Sequence, residues 1–292
     1  MKVLPDVMLE KSQQYQHLDW VGMTQIQSAV LIGQAGVQLA VPMSLDIGVS
    51  LAENNRGIHM SRLYQLQQSQ ILNQNFSSQM MQKFTRDCLD SQAGISDFSS
   101  AKLSLQWPRQ TLSLKSNLPG FRQYPVQFIF EQDKNKFQTW LQFEILYSST
   151  CPQSAGVSME VIHHETNGKM FERFPATPHA QRSRAQIRLQ LQNFSQNAVE
   201  QFIVSAENIL GTPVQTTVKK IDEMEFARLN AQNLMFCEDA VRKLANLLNQ
   251  QKEVLGFHVL CEHQESLHPH NATSISAQKY SNPRVISFTC YD

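Results

Sequence analysis

The sequence has no excess of charge of either sign. Its 25 lysine and arginine residues are balanced by 25 aspartate and glutamate residues, so neither nucleic acid nor an anionic membrane surface is an expected partner. Long apolar runs are also missing. No stretch approaches the ~20 residues needed to cross a bilayer, and the polar start has no signal-peptide core. The sequence therefore predicts a protein that uses neither nucleic acid nor a membrane.

Cysteine is also scarce. The cysteines are odd in number and widely scattered, which predicts reduced thiols rather than a disulfide framework, and hence a cytoplasmic protein. They are Cys88, Cys151, Cys237, Cys261 and Cys290.

Apolar patterns recur in the same order in the two halves of the 292 residues, which can build one large domain or two modules. In the first half, glycines at 33 and 36 predict a turn between two strands. Segments 59–74 and 77–92 have helical composition and lack glycine and proline. Alternating apolar residues at 103, 105 and 107 predict a strand, and two more strands flank a polar turn at 133–135.

In the second half, a strand ends at Cys151 and a long polar loop runs to about His179. A strand alternates through 187–191, a helix ends at Gly211, a second helix runs from about Asp222 to Gln250, and strands close the chain. Antiparallel sheets with helices on one face form the α+β class, which is the predicted fold.

Three separated residues could carry chemistry. Cys151 precedes a proline among small residues, which favours an exposed turn, although an idle thiol is the alternative. His179 lies in a polar segment with Arg182, an anion-binding residue type, and an ordinary surface loop is the alternative. Glu207 borders the apolar stripe of its helix, so its carboxylate needs a cation or a metal unless the helix edge is solvated.

The tail holds the densest group of histidines in the sequence. Paired imidazoles beside a carboxylate suit proton transfer near neutral pH, or metal binding. His268 and His270 would share a direction in a regular strand. The group consists of His258, Glu262, His263, Glu265, His268 and His270.

Two further segments have charged residues at predicted helix starts. For Asp222 and Glu223 the alternative to a functional role is an ordinary charge that complements the helix dipole. His59 and Arg62 form a compact basic group that suits a phosphate, or that is simply a solvated turn.

Eight short motifs occur in a fixed order along almost the whole chain. Together they resemble GTP cyclohydrolase of type IB, the prokaryotic and metal-versatile relative of GTP cyclohydrolase I. The motifs are LPDV at 4–7, LDWVGM at 18–23, RGIHMSRLY at 56–64, CP-S at 151–154, HAQRS at 179–183, DE at 222–223, CEDAVR at 237–242 and ESLHPH at 265–270.

The resemblance implies the tunnelling fold, in two tandem modules that each have a four-stranded antiparallel sheet and two helices on one face. Residues 1–20 would form an N-terminal arm, 21–133 the first module, and 134–292 the second, which carries most of the metal and catalytic residues. It also implies a homotetramer with active sites at subunit interfaces. The implied reaction converts GTP and water to 7,8-dihydroneopterin triphosphate and formate, the first step of tetrahydrofolate biosynthesis, with one divalent Zn, Fe or Mn per site.

The same resemblance assigns residue roles. Cys151, His179 and Glu207 would bind the metal, with Cys151 also catalytic. Glu265, His268 and His270 match the catalytic tail motif. The substrate-binding residues would be Glu223 on the guanine edge, together with His59, Arg62 and Arg182.

Two departures from the family pattern leave alternatives open. Gln153 stands where many members have a second cysteine, and 27 residues separate Cys151 from His179, so His163 and His164 compete for the metal. One rival function is a tunnelling-fold nitrile reductase, with a covalent cysteine and NADPH as donor. The other is a non-catalytic purine- or pterin-binding protein.

Overall fold

The structure is a computed structural model that describes residues 10–34, 36–166 and 175–284. Eight strands form one antiparallel sheet, in which each strand pairs with its neighbours in the sequence. The strands are β1 (Leu18–Gln34), β2 (Val37–Leu51), β3 (Phe98–Leu112), β4 (Pro119–Asp133), β5 (Phe137–Thr150), β6 (Ala180–Leu191), β7 (Val254–His263) and β8 (Ala272–Gln278).

Helices occupy three of the connections between strands. Two lie between β2 and β3, one between β5 and β6, and three between β6 and β7. They are α1 (Met60–Gln70), α2 (Ser78–Asp90), α3 (Pro152–Thr166), α4 (Gln196–Leu210), α5 (Lys220–Gln232) and α6 (Cys237–Asn249). None of the helices in the described ranges is long and apolar enough to cross a membrane.

The core lies between one face of the sheet and the helices. On β2, Leu45, Ile47 and Val49 are fully buried, as the two-residue period of a half-buried strand requires. Phe84 on α2 and Leu244 on α6 are buried in the same apolar cluster. Full burial of such a side chain contributes about 1.5–3 kcal/mol. The core is therefore continuous across both halves of the chain.

Much of the predicted pattern is confirmed. The turn between β1 and β2 contains Gly36 at φ 81°, α1 and α2 fall in the two predicted helical segments, and β4 and β5 flank the predicted polar turn. The α+β class is confirmed as well. The sheet is continuous, however, because β4 pairs with β5 across the expected module boundary at 133–134.

Two predicted elements were wrong in detail. The expected polar loop after Cys151 begins with helix α3, because Pro152 is well placed in a first helical turn. The expected single helix from Asp222 to Gln250 is two helices. β1 starts at Leu18, and residues 1–9 of the expected arm lie outside the described residues.

The break between α5 and α6 builds one wall of a pocket. Asn233 leaves the helical conformation, and its Nδ2 donates to the carbonyl of Leu210 at 2.6 Å. The N–H of Met235 then donates to the carbonyl of Thr150 at 3.1 Å. The start of α6 is thereby held beside the end of β5, next to Cys151.

Candidate active site

A cavity of about 520 Å³ lies where β5 ends and β6 begins. The start of α3, the start of α6 and the connection from β7 to β8 complete its walls. Its polar lining consists of Cys151, Gln153, Ser154, His179, Gln181, Cys237, Glu238, His263, Glu265, His268 and His270.

Cys151 is held at the junction of β5 and α3. Its backbone N–H donates to the carbonyl of His179 at 3.2 Å, which extends the pairing of β5 with β6 by one step. The N–H of Ser154 points at Sγ from 3.5 Å. The first turn of a helix carries partial positive charge, so the sulfur faces groups that favour negative charge.

The ring of His179 is oriented by Gln181 and Glu265. Its Nδ1 lies 3.0 Å from Oε1 of Gln181 and 3.6 Å from Oε2 of Glu265. The Nε2 of Gln181 donates to Ser149 at 2.9 Å, which leaves its Oε1 as the acceptor for Nδ1–H of His179. Nε2 of His179 has no partner among the described residues and can bind a metal or a ligand, an arrangement typical of histidine ligands.

The tail residues meet at the same pocket. His268 and His270 have ring centroids 5.0 Å apart at an interplanar angle of 12°, so they point together as predicted. They do so in the connection between β7 and β8 rather than in a strand. Glu265 precedes them and reaches His179. Two imidazoles and one carboxylate are therefore available for proton transfer.

Several pocket residues were missed by the sequence reasoning. Glu238 lies in the quoted CEDAVR segment, yet no role was assigned to it. Its Oε2 lies 3.3 Å from Sγ of Cys237, which also lies 3.2 Å from Oγ of Ser274. Burial raises the pKa of the Cys237 thiol, so it stays protonated. Glu238 is the carboxylate that α6 brings to the pocket.

His263 is the most buried histidine of the pocket. It is 2% exposed, and its Nε2 lies 3.0 Å from the hydroxyl of Tyr147. Burial lowers its pKa to about 4, so the ring is neutral near pH 7. The alternation of β7, in which Cys261 and His263 share the buried face, could have marked it as an inward-facing residue.

Glu207 does not belong to this pocket. It is buried on α4, where its carboxylate forms ion pairs with Arg122 and, at 2.8 Å, with Arg109. The hydroxyl of Tyr124 donates to it at 2.7 Å. Two arginines thus provide the cation that the buried carboxylate of Glu207 requires. Within one chain, Glu207 does not lie with Cys151 and His179.

Other predicted residues also lie elsewhere in the chain. Glu223 is exposed in the first turn of α5, and Arg182 is exposed on β6. Arg62 donates to the carbonyl of Ser91 at 2.8 Å, and His59 precedes α1 in the first half. None of the four lines the cavity around Cys151.

The competing histidines are placed away from the pocket. His163 and His164 are exposed in the last turn of α3, and His164 faces Glu160 at 3.9 Å. His179 alone of the three lies beside Cys151. The geometry therefore favours His179 as the partner of the cysteine.

The fit to a metal is incomplete within one chain. Cys151 and His179 supply a sulfur and a nitrogen donor, the types that zinc, iron and manganese sites can use. In the described ranges, however, no three side chains of His, Cys, Asp or Glu are grouped so that they could hold a metal ion. Of the three predicted metal ligands, Cys151 and His179 thus line the same cavity. Glu207 does not supply the third ligand within one chain.

Comparison with known proteins identifies the family. A family model described as "Type I GTP cyclohydrolase folE2" matches residues 4–274. The GTP cyclohydrolase FolE2 of Hahella chejuensis is 36% identical over 303 residues, covering 98% of this chain and 99% of the relative. That of Citrobacter koseri is 37% identical over 291 residues, covering 93% and 96%.

Solved structures resemble the chain in fold alone. A uricase from Arthrobacter globiformis has a TM-score of 0.50 at 6% identity and covers 91% of this chain and 95% of its own. A uricase from Bacillus fastidious has a TM-score of 0.50 at 8% identity, with 89% and 92% covered. Sequence, not fold, therefore decides the family: this chain belongs to the type I GTP cyclohydrolase FolE2 family.

Proposed function

We propose that this chain hydrolyses GTP to 7,8-dihydroneopterin triphosphate and formate, in the cytoplasm and as the first step of tetrahydrofolate biosynthesis. The observation that carries the proposal is the single pocket in which Cys151, His179, Glu265, His268 and His270 meet. The family's named activity needs a nucleophile, proton carriers and a guanine-binding carboxylate. The pocket offers proton carriers and carboxylates, Glu238 among them, and two donors for a metal that would supply the nucleophile.

Guanine recognition is assigned to Glu238. A carboxylate accepts hydrogen bonds, and guanine presents N–H donors on one edge, so the pair selects guanine over adenine. Glu238 lines the pocket, whereas Glu223 is exposed on α5 outside it. The family resemblance implies the same role for Glu223. Glu223 could fill that role only in the site of a second copy of the chain.

Proton transfer is assigned to the histidines. Ring opening and formate release require protons to reach ring nitrogens and leave the attacking water. Glu265 lies beside Nδ1 of His179, and His268 and His270 stand together in the adjacent connection. Glu265 would orient the ring of His179 through Nδ1, and His268 and His270 would carry protons between the substrate and solvent.

We propose that Cys151 and His179 hold one divalent Zn, Fe or Mn, which when bound would lower the pKa of water and supply a nucleophile near neutral pH. The N–H of Ser154 points at Sγ of Cys151 and would stabilise negative charge on the sulfur once a metal is bound. The hydrogen bond from His179 to Gln181 fixes its tautomer and directs Nε2 outward. A third donor is required, and a second copy of the chain is one source.

Assembly as a homotetramer of tandem tunnelling-fold modules, with sites at subunit interfaces, belongs to the same proposal. Val157, Phe236 and Leu267 are 55%, 44% and 66% exposed around the pocket, which suits coverage by another subunit. His59 and Arg62 lie far along the fold from the pocket and would serve a neighbour's site. With Arg182, Arg62 would contact the triphosphate.

The experiment is an anaerobic GTP assay with zinc, iron or manganese, reading formate and pterin fluorescence without NADPH. Wild-type protein should release formate, and Cys151→Ala should abolish release while keeping the thermal unfolding midpoint. Full activity in Cys151→Ala would refute the role of the cysteine. A requirement for NADPH would favour a nitrile reductase, and metal-free protein without turnover would favour a binding protein.

A further inference from the structure

A buried polar pair behind the pocket has no role in the chemistry above. Tyr147 is fully buried on β5, and its hydroxyl lies 3.0 Å from Nε2 of His263. The two rings meet edge to face, with centroids 5.7 Å apart. Burying two polar side chains is costly unless each is hydrogen-bonded, so this pair restricts the histidine to one orientation.

That orientation leaves Nδ1 as the ring nitrogen that can meet a ligand. His263 lines the cavity, and its Nε2 is already bound to Tyr147. Within the described part of the chain, no hydrogen bond to Nδ1 of His263 is found. A purine in the cavity would therefore meet Nδ1 and not Nε2.

The neighbouring groups decide which nitrogen carries the proton. Burial lowers the pKa of His263 to about 4, so the ring is neutral. Burial raises the pKa of Tyr147 and raises that of Cys261 to about 12, so both keep their protons. The hydroxyl of Tyr147 has two possible acceptors, Nε2 of His263 and the sulfur of Cys261. An unprotonated imidazole nitrogen is a stronger acceptor than a thiol sulfur, so Tyr147 donates to Nε2. Nδ1 then carries hydrogen and is a donor.

We propose that His263, held in one tautomer by Tyr147, donates a hydrogen bond from Nδ1 to the acceptor edge of the bound guanine. That edge carries N7 and O6, which are both acceptors. Glu238 would accept from the N–H groups of the same base, so the two residues read complementary features. This inference rests on the proposed function, because it takes GTP as the ligand.

The test measures KM and kcat for formate release from GTP with four variants of the metal-loaded protein. His263→Leu removes the donor and should raise KM about tenfold, with a much smaller change in kcat, because the lost bond is made in substrate binding. His263→Asn keeps an N–H donor and should recover most of that loss. Tyr147→Phe removes the bond that fixes the tautomer of His263, so its KM should lie between those of His263→Asn and His263→Leu.

His258→Leu is the matched control. His258 lies on the same strand, is half-buried, and does not line the cavity. Its substitution should leave KM near that of the wild type. A purely structural role for His263 would instead lower the unfolding midpoint and would not show rescue by asparagine.

Folded His263→Leu protein with wild-type KM would overturn the inference. If His263→Leu does not fold, Tyr147→Phe decides, since it keeps the ring and its packing: an unchanged KM overturns the inference, and a raised KM supports it. Wild-type protein that releases no formate from GTP would reject the proposed function itself, which is a different outcome.

Discussion

The backbone N–H of Cys151 donates to the carbonyl of His179 at 3.2 Å, although 27 residues separate them in the sequence. The bond continues the pairing of β5 with β6, so the two side chains stand at one end of adjacent strands. The described parts of the intervening segment, which are α3 and residues 175–178, do not interrupt that pairing. The long separation is therefore compatible with a shared site.

Substitution of His163, His164 and His179 should show which of these histidines binds the metal. We expect His179→Ala to lose most bound metal and formate release, because its Nε2 is the free donor beside Cys151. His163→Ala and His164→Ala are matched controls and should keep both, since they are exposed on α3. Metal analysis of the purified variants, read beside the GTP assay, checks this. Loss of metal in a control variant with His179 intact would reverse the assignment.

Glu207 should matter for stability and not for metal content. Glu207→Gln leaves Arg109 and Arg122 without their buried countercharge, so we expect a loss of about 3 kcal/mol in the free energy of unfolding. Glu200→Gln is the control, because its side chain is 36% exposed and its pairing with Arg109 is screened, so we expect about 1 kcal/mol or less. Urea unfolding gives both values.

Metal analysis of Glu207→Gln provides the opposing outcome. If folded Glu207→Gln protein lost its metal in parallel, Glu207 would be a ligand after all. A second subunit would then have to bring it to the cysteine.

Acid should destabilise the protein partly through His263. Its pKa is about 4 when folded and about 6.5 when exposed, so the unfolded state binds more protons between these values. Stability is therefore lost as pH falls from about 6.5 to about 4, by about 3 kcal/mol at most, and no further below that range. Urea unfolding of wild type and His263→Asn at several pH values isolates this contribution. Parallel curves for the two proteins would contradict it.

Guanine recognition should depend on Glu238 more than on Glu223. We expect Glu238→Gln to raise KM for GTP at least tenfold, on the order of 1.4 kcal/mol, because an amide replaces an acceptor in the pocket. Glu223→Gln should change KM by less than about threefold. Steady-state kinetics with GTP tests both. A larger increase in KM for Glu223→Gln would instead assign the guanine contact to Glu223 of a second copy of the chain.

The sequence by itself determined the class of fold and the family. Period-two alternation at Leu103, Leu105 and Trp107 and helical spacing in the α2 and α4 segments reflect burial of one face, a local consequence of the chain. Eight ordered motifs pointed to the family, and the comparisons confirm it. The motifs alone also proposed Cys151 and His179, which the structure places at one cavity.

Only the tertiary structure decided which carboxylates reach the site. Glu207 and Glu238 both lie on helices. The sequence around each of them does not indicate whether its carboxylate meets a cation or a cavity. Arg109 of β3 and Arg122 of β4 reach Glu207 on α4, whereas the break at Asn233 places the start of α6 so that Glu238 lines the same cavity as Cys151. Partners that are distant in the chain fix these environments, and for that reason no local pattern could predict them.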